Sequence, residues 1–168
     1  LELGSGRGLL AYALARALPG ARVTMTDMAD AMPQVGAELA RAESQGWFVG
    51  RGGVAPESAV TCCALDWWSL RPRNDANAAD QETRPLTCET ARRNIERALP
   101  GPEPHRDCVF GIDLCYEQPT SDALAAALST FALAGLSRVV YGHWNRSMAI
   151  TTELLRQLRR YGVGAHVL

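Results

Sequence analysis

The chain opens on Leu1-Glu2-Leu3-Gly4-Ser5-Gly6-Arg7-Gly8, and this run restricts the fold more than any other. An apolar strand end meets three glycines at alternate positions, and a helical pattern follows over 9–18 before Pro19-Gly20 stops it. Glycines in such a turn let the backbone bend and let a ligand lie against it. The helix behind the turn aims its first amides at that ligand. The dinucleotide fingerprint places its third glycine three positions after the second. Here that position is Leu9, and Gly8 comes one residue early. With Glu2 two places before Gly4, the spacing favours a nucleoside-type ligand with a polar or cationic end near Glu2 over a pyrophosphate. The bland alternative is a tight strand-to-helix turn with no ligand.

Beyond the turn, strand-like and helix-like segments alternate. Strands are expected at 22–27, 59–65, 107–113 and 138–141, and a sixth is expected to begin at 162–168. Helices are expected at 31–44, 88–99, 121–135 and 148–161. The first helix is expected to turn Leu10, Leu14, Ala17 and Leu18 inward, and the second Val35, Leu39 and Ala42. The helix over 88–99 reads as exposed, with Arg92, Arg93, Glu96 and Arg97 on its wet side. The helix over 121–135 repeats Leu124, Leu128 and Phe131 inward, with Ser121 as its expected N-cap. The last helix is expected to turn Ile150, Leu154, Leu155 and Leu158 inward. Residues 45–58 read as a Gly-rich loop, and 71–87 as a polar surface insertion with little fixed structure.

Strand–helix alternation implies an α/β fold of the Rossmann-like, doubly wound kind, with a mainly parallel sheet and helices on both faces. Such sheets bind ligands beyond the carboxyl ends of their strands. That edge would collect the turn at 4–8, Asp27, Asp66-Trp67 and the run 113–116, each at a strand end. Asp27 follows the turn by about 20 residues, where a carboxylate accepts from both hydroxyls of a ribose; its alternative is a helix N-cap. Asp66 is suited to accept from an exocyclic amine and Trp67 to cover a base; their alternatives are a cap and core packing. Trp68 reads as structural. Asp113 would face the reaction centre, and Tyr116 would wall it with a face that attracts a cation. A charged strand end and a half-buried tyrosine are the alternatives for that pair.

Composition narrows the classes. The chain has 168 residues, 47% of them hydrophobic, and a net charge of -1, so it is globular and carries no basic field for nucleic acid or an anionic membrane. No apolar run reaches membrane-spanning length. Five cysteines, with no closely spaced pair of the zinc-binding kind, argue against a disulfide framework or a zinc site. Cys62, Cys63, Cys108 and Cys115 lie in apolar strand-like runs and read as small buried hydrophobes. A reducing compartment, cytoplasmic or nuclear, is expected. The chain begins inside a strand and stops at Val167-Leu168, so a fragment of one domain, truncated at both ends, is the expectation. His105 and His166 read as bystanders; His143, after the fifth strand, could line the substrate side, with a surface histidine as the preferred reading.

Taken together, the turn at 1–8, Thr24 to Asp27, Leu65-Asp66-Trp67 and Asp113-Leu114-Cys115-Tyr116 resemble the seven-strand S-adenosylmethionine-dependent methyltransferases. More narrowly, the Leu-Asp-Trp strand end and the Asp-x-x-Tyr run resemble the protein-lysine methyltransferase group. The resemblance implies S-adenosyl-L-methionine as cofactor and a protein substrate. It implies that Gly4, Ser5 and Gly6 approach the amino-acid end of the cofactor, with Glu2 nearby. Asp27 would take the ribose hydroxyls, Trp67 and Asp66 would meet the adenine, and Ile112 would touch the cofactor through its backbone. Asp113 and Tyr116 would border the target amine. Arg146 matches a position where this group often has arginine. The chain departs from the group at Arg7, at Trp68, and in the segment 71–106, an insertion that is longer and more polar.

The implied reaction is in-line displacement of the sulfonium methyl by a neutral amine, helped by alignment and desolvation. Three rivals stand beside it: a methyltransferase for a small molecule or another side chain, a catalytically silent binding module, and a nicotinamide-binding domain. The glycine spacing speaks against the last. Substrate identity and oligomeric state are not legible in the sequence.

Overall fold

The computed structural model describes residues 1–18, 20–47, 59–71, 87–99, 108–135, 138–143 and 147–166. It divides into two compact units, Leu1–Leu65 and Asp66–Leu168. Arg146, His105, most of the 45–58 loop and most of the 71–106 insertion lie outside the described residues.

In the first unit, β1 (Glu2–Leu3), α1 (Leu9–Ala17), β2 (Arg22–Asp27), α2 (Met32–Ser44) and β3 (Ala59–Ala64) follow in order. The strands lie in the order β3-β2-β1. Both pairings are parallel, with Glu2 opposite Met25 and Met25 opposite Cys62. Parallel neighbours need a crossover, and α1 and α2 supply it. Along β2 the alternation buries Val23 and Met25, while Thr26 is also buried and bonds its hydroxyl to the Glu2 carbonyl at 2.6 Å.

The face of α1 differs from the expected one. Ala11, Tyr12 and Ala15 are buried, whereas Ala17 and Leu18 are exposed. The cause is Gly8, at φ +72°, where an added Cβ would stand 2.5 Å from Met25 Sδ and 2.8 Å from the Tyr12 ring. A helix held that close to the sheet takes alanines on its inner side. Gly8 therefore does what the third fingerprint glycine does, close helix–strand packing, one residue early. In α2, Val35 and Ala42 are buried and Leu39 is half-buried.

The second unit starts with a 3-10 turn (Trp67–Leu70) and continues through α3 (Cys88–Ala98), β4 (Cys108–Ile112), α4 (Gln118–Leu133), β5 (Arg138–Gly142) and α5 (Met148–Arg160). β4 and β5 pair in parallel, with Val109 opposite Val139 and Ile112 opposite Gly142. Its core is α4: residues 123–131 are all buried, including Ser129 and Thr130, and Phe131 is fully enclosed. In α5, Leu154 and Leu158 are buried, with Ile150 and Leu155 half-buried.

Three expectations for this unit are corrected. The helix α3 is not free-standing: Ala91, Asn94 and Ile95 are buried. Its Asn94 amide donates to the Leu70 carbonyl at 3.1 Å, and Arg97 donates to the Ser69 carbonyl at 3.0 Å. Ser121 is not the cap of α4. Glu117 is, with its amide donating to Thr120 Oγ1 at 3.3 Å, while Ser121 is buried with its hydroxyl 3.0 Å from Cys115 Sγ. No strand forms over 162–166; the chain turns at Gly162 (φ +81°) and the Val163 amide returns to the Leu158 carbonyl at 3.0 Å. Of the cysteines read as buried, Cys115 is, whereas Cys62, Cys63 and Cys108 are half-buried.

Candidate functional site

The glycine turn is built from positive φ angles. Gly4, Gly6 and Gly8 take φ of +59°, +52° and +72°, a region that side chains enter at a cost. Three amides of the turn are already engaged. Ser5 N–H donates to the Thr26 carbonyl at 2.9 Å and Gly8 N–H to the Ser5 carbonyl at 2.8 Å. Gly6 N–H donates to Asp27 Oδ2 at 2.8 Å. The Ser5 hydroxyl also points inward, to the Thr26 carbonyl at 3.2 Å. A pyrophosphate site needs such amides unoccupied. This turn instead offers bare backbone: an added Cβ on Gly6 meets nothing within 4 Å.

Beneath the turn sits Glu2, 4% exposed. Burial pushes its carboxyl from 4.5 up to about 7, against the lowering pull of the Ser5 hydroxyl and the Ala11 amide. Its Oε2 is buried with no hydrogen-bond partner. An orphaned buried acceptor costs about 1–3 kcal/mol. A carboxylate there also occupies the positive end of α1, which disfavours an anion and favours a cation at the same spot.

Asp27 ends β2 and is half-buried. Oδ2 accepts from Gly6 N–H and Oδ1 accepts from Met28 N–H, both at 2.8 Å. The helix-cap alternative fails, because the N-cap position of α2 is Ala31 and no side chain caps it. A carboxylate has about four acceptor positions. The two amides fix the orientation of Asp27 and leave one position on each oxygen, the pattern a vicinal diol requires.

In the second unit, Asp66 does act as a cap: Oδ1 accepts from Trp68 N–H at 2.9 Å. The two tryptophans lie on the 3-10 turn, not on a strand. Trp67 is half-buried; Trp68 is 44% exposed, with the Arg71 guanidinium 4.8 Å over its ring. Ile112, the last residue of β4, is 56% exposed; past the strand Tyr116 is 58% exposed, while Leu114 and Cys115 turn inward. Asp113 between them is half-buried at φ +52°, the one non-glycine residue with positive φ among the described residues. Strain of this kind gathers at functional sites.

Two residues support this loop, Tyr141, which sequence reasoning missed, and His143, which it preferred to read as a surface residue. Tyr141 on β5 accepts the Leu114 amide on its hydroxyl at 2.9 Å. Burial pushes that phenol up to about 12. His143 is half-buried rather than a surface residue, with Nε2 2.9 Å from Thr151 Oγ1. The available signal was the register: β5 runs beside β4, so its last residues must adjoin the 113–116 run. Among the described residues no helix is long and apolar enough to cross a membrane, and no group of three metal-ligating side chains comes together.

Parallel strands joined by helices, with a glycine turn after β1 and a carboxylate closing β2, define a Rossmann-like α/β protein. Residues 1–80 match the family model described as lysine methyltransferase. The match covers just under half of the chain and supports a methyltransferase. Neither the curated proteins nor the solved structures gave a match.

Proposed function

We propose that the protein transfers a methyl group from S-adenosyl-L-methionine to the side-chain amine of a protein lysine. The observation that carries the proposal is the buried Glu2 carboxylate with its unpartnered Oε2 beneath a turn in which the Ser5, Gly6 and Gly8 amides are engaged. That arrangement suits an ammonium group and not a phosphate. Bound there, the cofactor would supply a methyl carbon on a sulfonium, open to attack by a nitrogen lone pair.

The chain's own residues divide the remaining work. Glu2 would hold the amino group of the cofactor, with Gly4, Ser5 and Gly6 lying against its amino-acid end. Asp27 would accept the two ribose hydroxyls. Trp67 would cover the adenine, and Asp66 would present its second oxygen to the exocyclic amine. The Ile112 backbone would border the cofactor. Asp113 would orient the incoming amine, and Tyr116 would present an aromatic face to the cationic centre, a contact of about 0.5–2 kcal/mol. With cofactor and amine so held, the methyl would pass from sulfur to the amine nitrogen, and water would take the amine's proton. Alignment of this kind supplies on the order of 7–11 kcal/mol.

A lysine-bearing protein is the proposed partner, and the family match supports it. The cysteine pattern of the sequence, an odd count without a disulfide framework, supports a reducing location, cytoplasmic or nuclear. Titration calorimetry with S-adenosylhomocysteine, with a nicotinamide dinucleotide as control, tests the cofactor assignment. Binding of the first alone is expected; binding of the second alone would defeat it.

A further inference from the structure

The loop that follows β4 is held by an unusual support. Asp113 N–H continues the β4–β5 ladder to the Gly142 carbonyl at 2.8 Å. The next amide, on buried Leu114, has no backbone partner and donates instead to the Tyr141 hydroxyl at 2.9 Å. Tyr141 Oη lies 3.5 Å from His143 Nδ1, and the two rings are 5.8 Å apart. His143 Nε2 is 2.9 Å from Thr151 Oγ1, which donates to the Ser147 carbonyl at 3.2 Å.

Leu114 N–H donates and the Tyr141 oxygen accepts; the His143 ring then links that hydroxyl to Thr151 in the first turn of α5.

We propose that Tyr141, backed by His143 and Thr151, is a positioning residue that sets the strained Asp113 loop for methyl transfer. The proposal rests on the assignment of Asp113 and Tyr116 to the target amine. Without the hydroxyl, Leu114 N–H is a buried donor with no acceptor, and the left-handed Asp113 loses its neighbouring anchor. Asp113 and Tyr116 would then sample misaligned arrangements. Small displacements at a reacting centre cost rate more than binding.

Two measurements on the full chain test this, with Tyr141→Phe as the main variant and Thr151→Val as a milder one. The first is amide hydrogen exchange at Leu114, with Val109 and Val139 as controls for folding. Tyr141→Phe is expected to speed Leu114 exchange at least tenfold and leave the control amides unchanged. Equal Leu114 exchange in variant and wild type overturns the proposal. The second is transfer of labelled methyl to a randomised pool of lysine-containing peptides. Here kcat is expected to fall about tenfold, with KM for S-adenosylmethionine within twofold. Faster exchange with unchanged kcat overturns the positioning role. If wild type itself neither binds S-adenosylhomocysteine nor transfers methyl, the proposed function falls and the positioning role falls with it. The exchange result still separates that failure from an absent Tyr141 anchor.

Discussion

Replacing Glu2 by Gln is expected to stabilise the protein above neutral pH while weakening cofactor binding. The magnitude follows from the buried carboxyl. Burial raises it from 4.5 to about 7, a rise of about 2.5 units. At about 1.36 kcal/mol per unit this is about 3 kcal/mol. The sign is set by linkage: the folded state prefers the protonated acid, so its advantage is full below pH 4.5 and is lost as pH rises through about 7. Gln has the same shape and cannot ionise. In urea unfolding at a series of pH values, the stability of Glu2→Gln relative to wild type should grow by about 3 kcal/mol between pH 4.5 and pH 8. A cationic amino group beside Oε2 would restore the charged form. S-adenosylhomocysteine binding to wild type should therefore release up to one proton near pH 6 and tighten from pH 5 to 8. Binding to the variant should be weaker and flat. A constant stability difference across pH, or no proton release on binding, would refute the reasoning.

Gly8→Ala should destabilise by about 2–5 kcal/mol, because left-handed strain adds to overpacking against Met25 and Tyr12; thermal and urea unfolding read it. Asp27→Ala removes the acceptor of Gly6 N–H and both proposed diol bonds, and calorimetry should show at least about a 100-fold loss of S-adenosylhomocysteine affinity. Asp113→Gly relieves the positive φ and should stabilise the fold by about 1 kcal/mol while methyl transfer falls at least tenfold. A variant that kept both its stability and its turnover would separate Asp113 from the chemistry.

Much of the fold was legible because period and punctuation agree. Residues 22–27 alternate and then end on a carboxylate, and β2 occupies those same positions. Met32–Ser44, Ala59–Ala64 and Cys88–Ala98 also fall within a residue or so of the expected limits. What failed was decided by neighbours. The face of α1 follows from how closely Gly8 lets it approach Met25, which hydrophobicity along 9–18 does not encode. Ser121 has the chemistry of a cap, yet it lies buried beside Cys115 while Glu117 and Thr120 close the helix end. In the candidate site, the turn and Asp27 were legible because their spacing reflects one local strand–helix–strand unit. The support of Asp113 by Tyr141 and His143 was not, since it joins residues 27 positions apart through side chains on a neighbouring strand. Asp66 shows the remaining ambiguity in physical form: a strand-end carboxylate suits a cap and a ligand alike, and the bond the structure shows is the cap to Trp68 N–H.

The most direct test is the fate of an isotopically labelled methyl group. The full chain would be incubated with methyl-labelled S-adenosylmethionine and a randomised lysine-containing peptide pool, and the label located by mass spectrometry. Label on the lysine side-chain nitrogen, abolished by Asp27→Ala, is the expected result. Label that is absent from lysine, carried by another atom, or undiminished in Asp27→Ala would contradict the assignment of this site to lysine methylation.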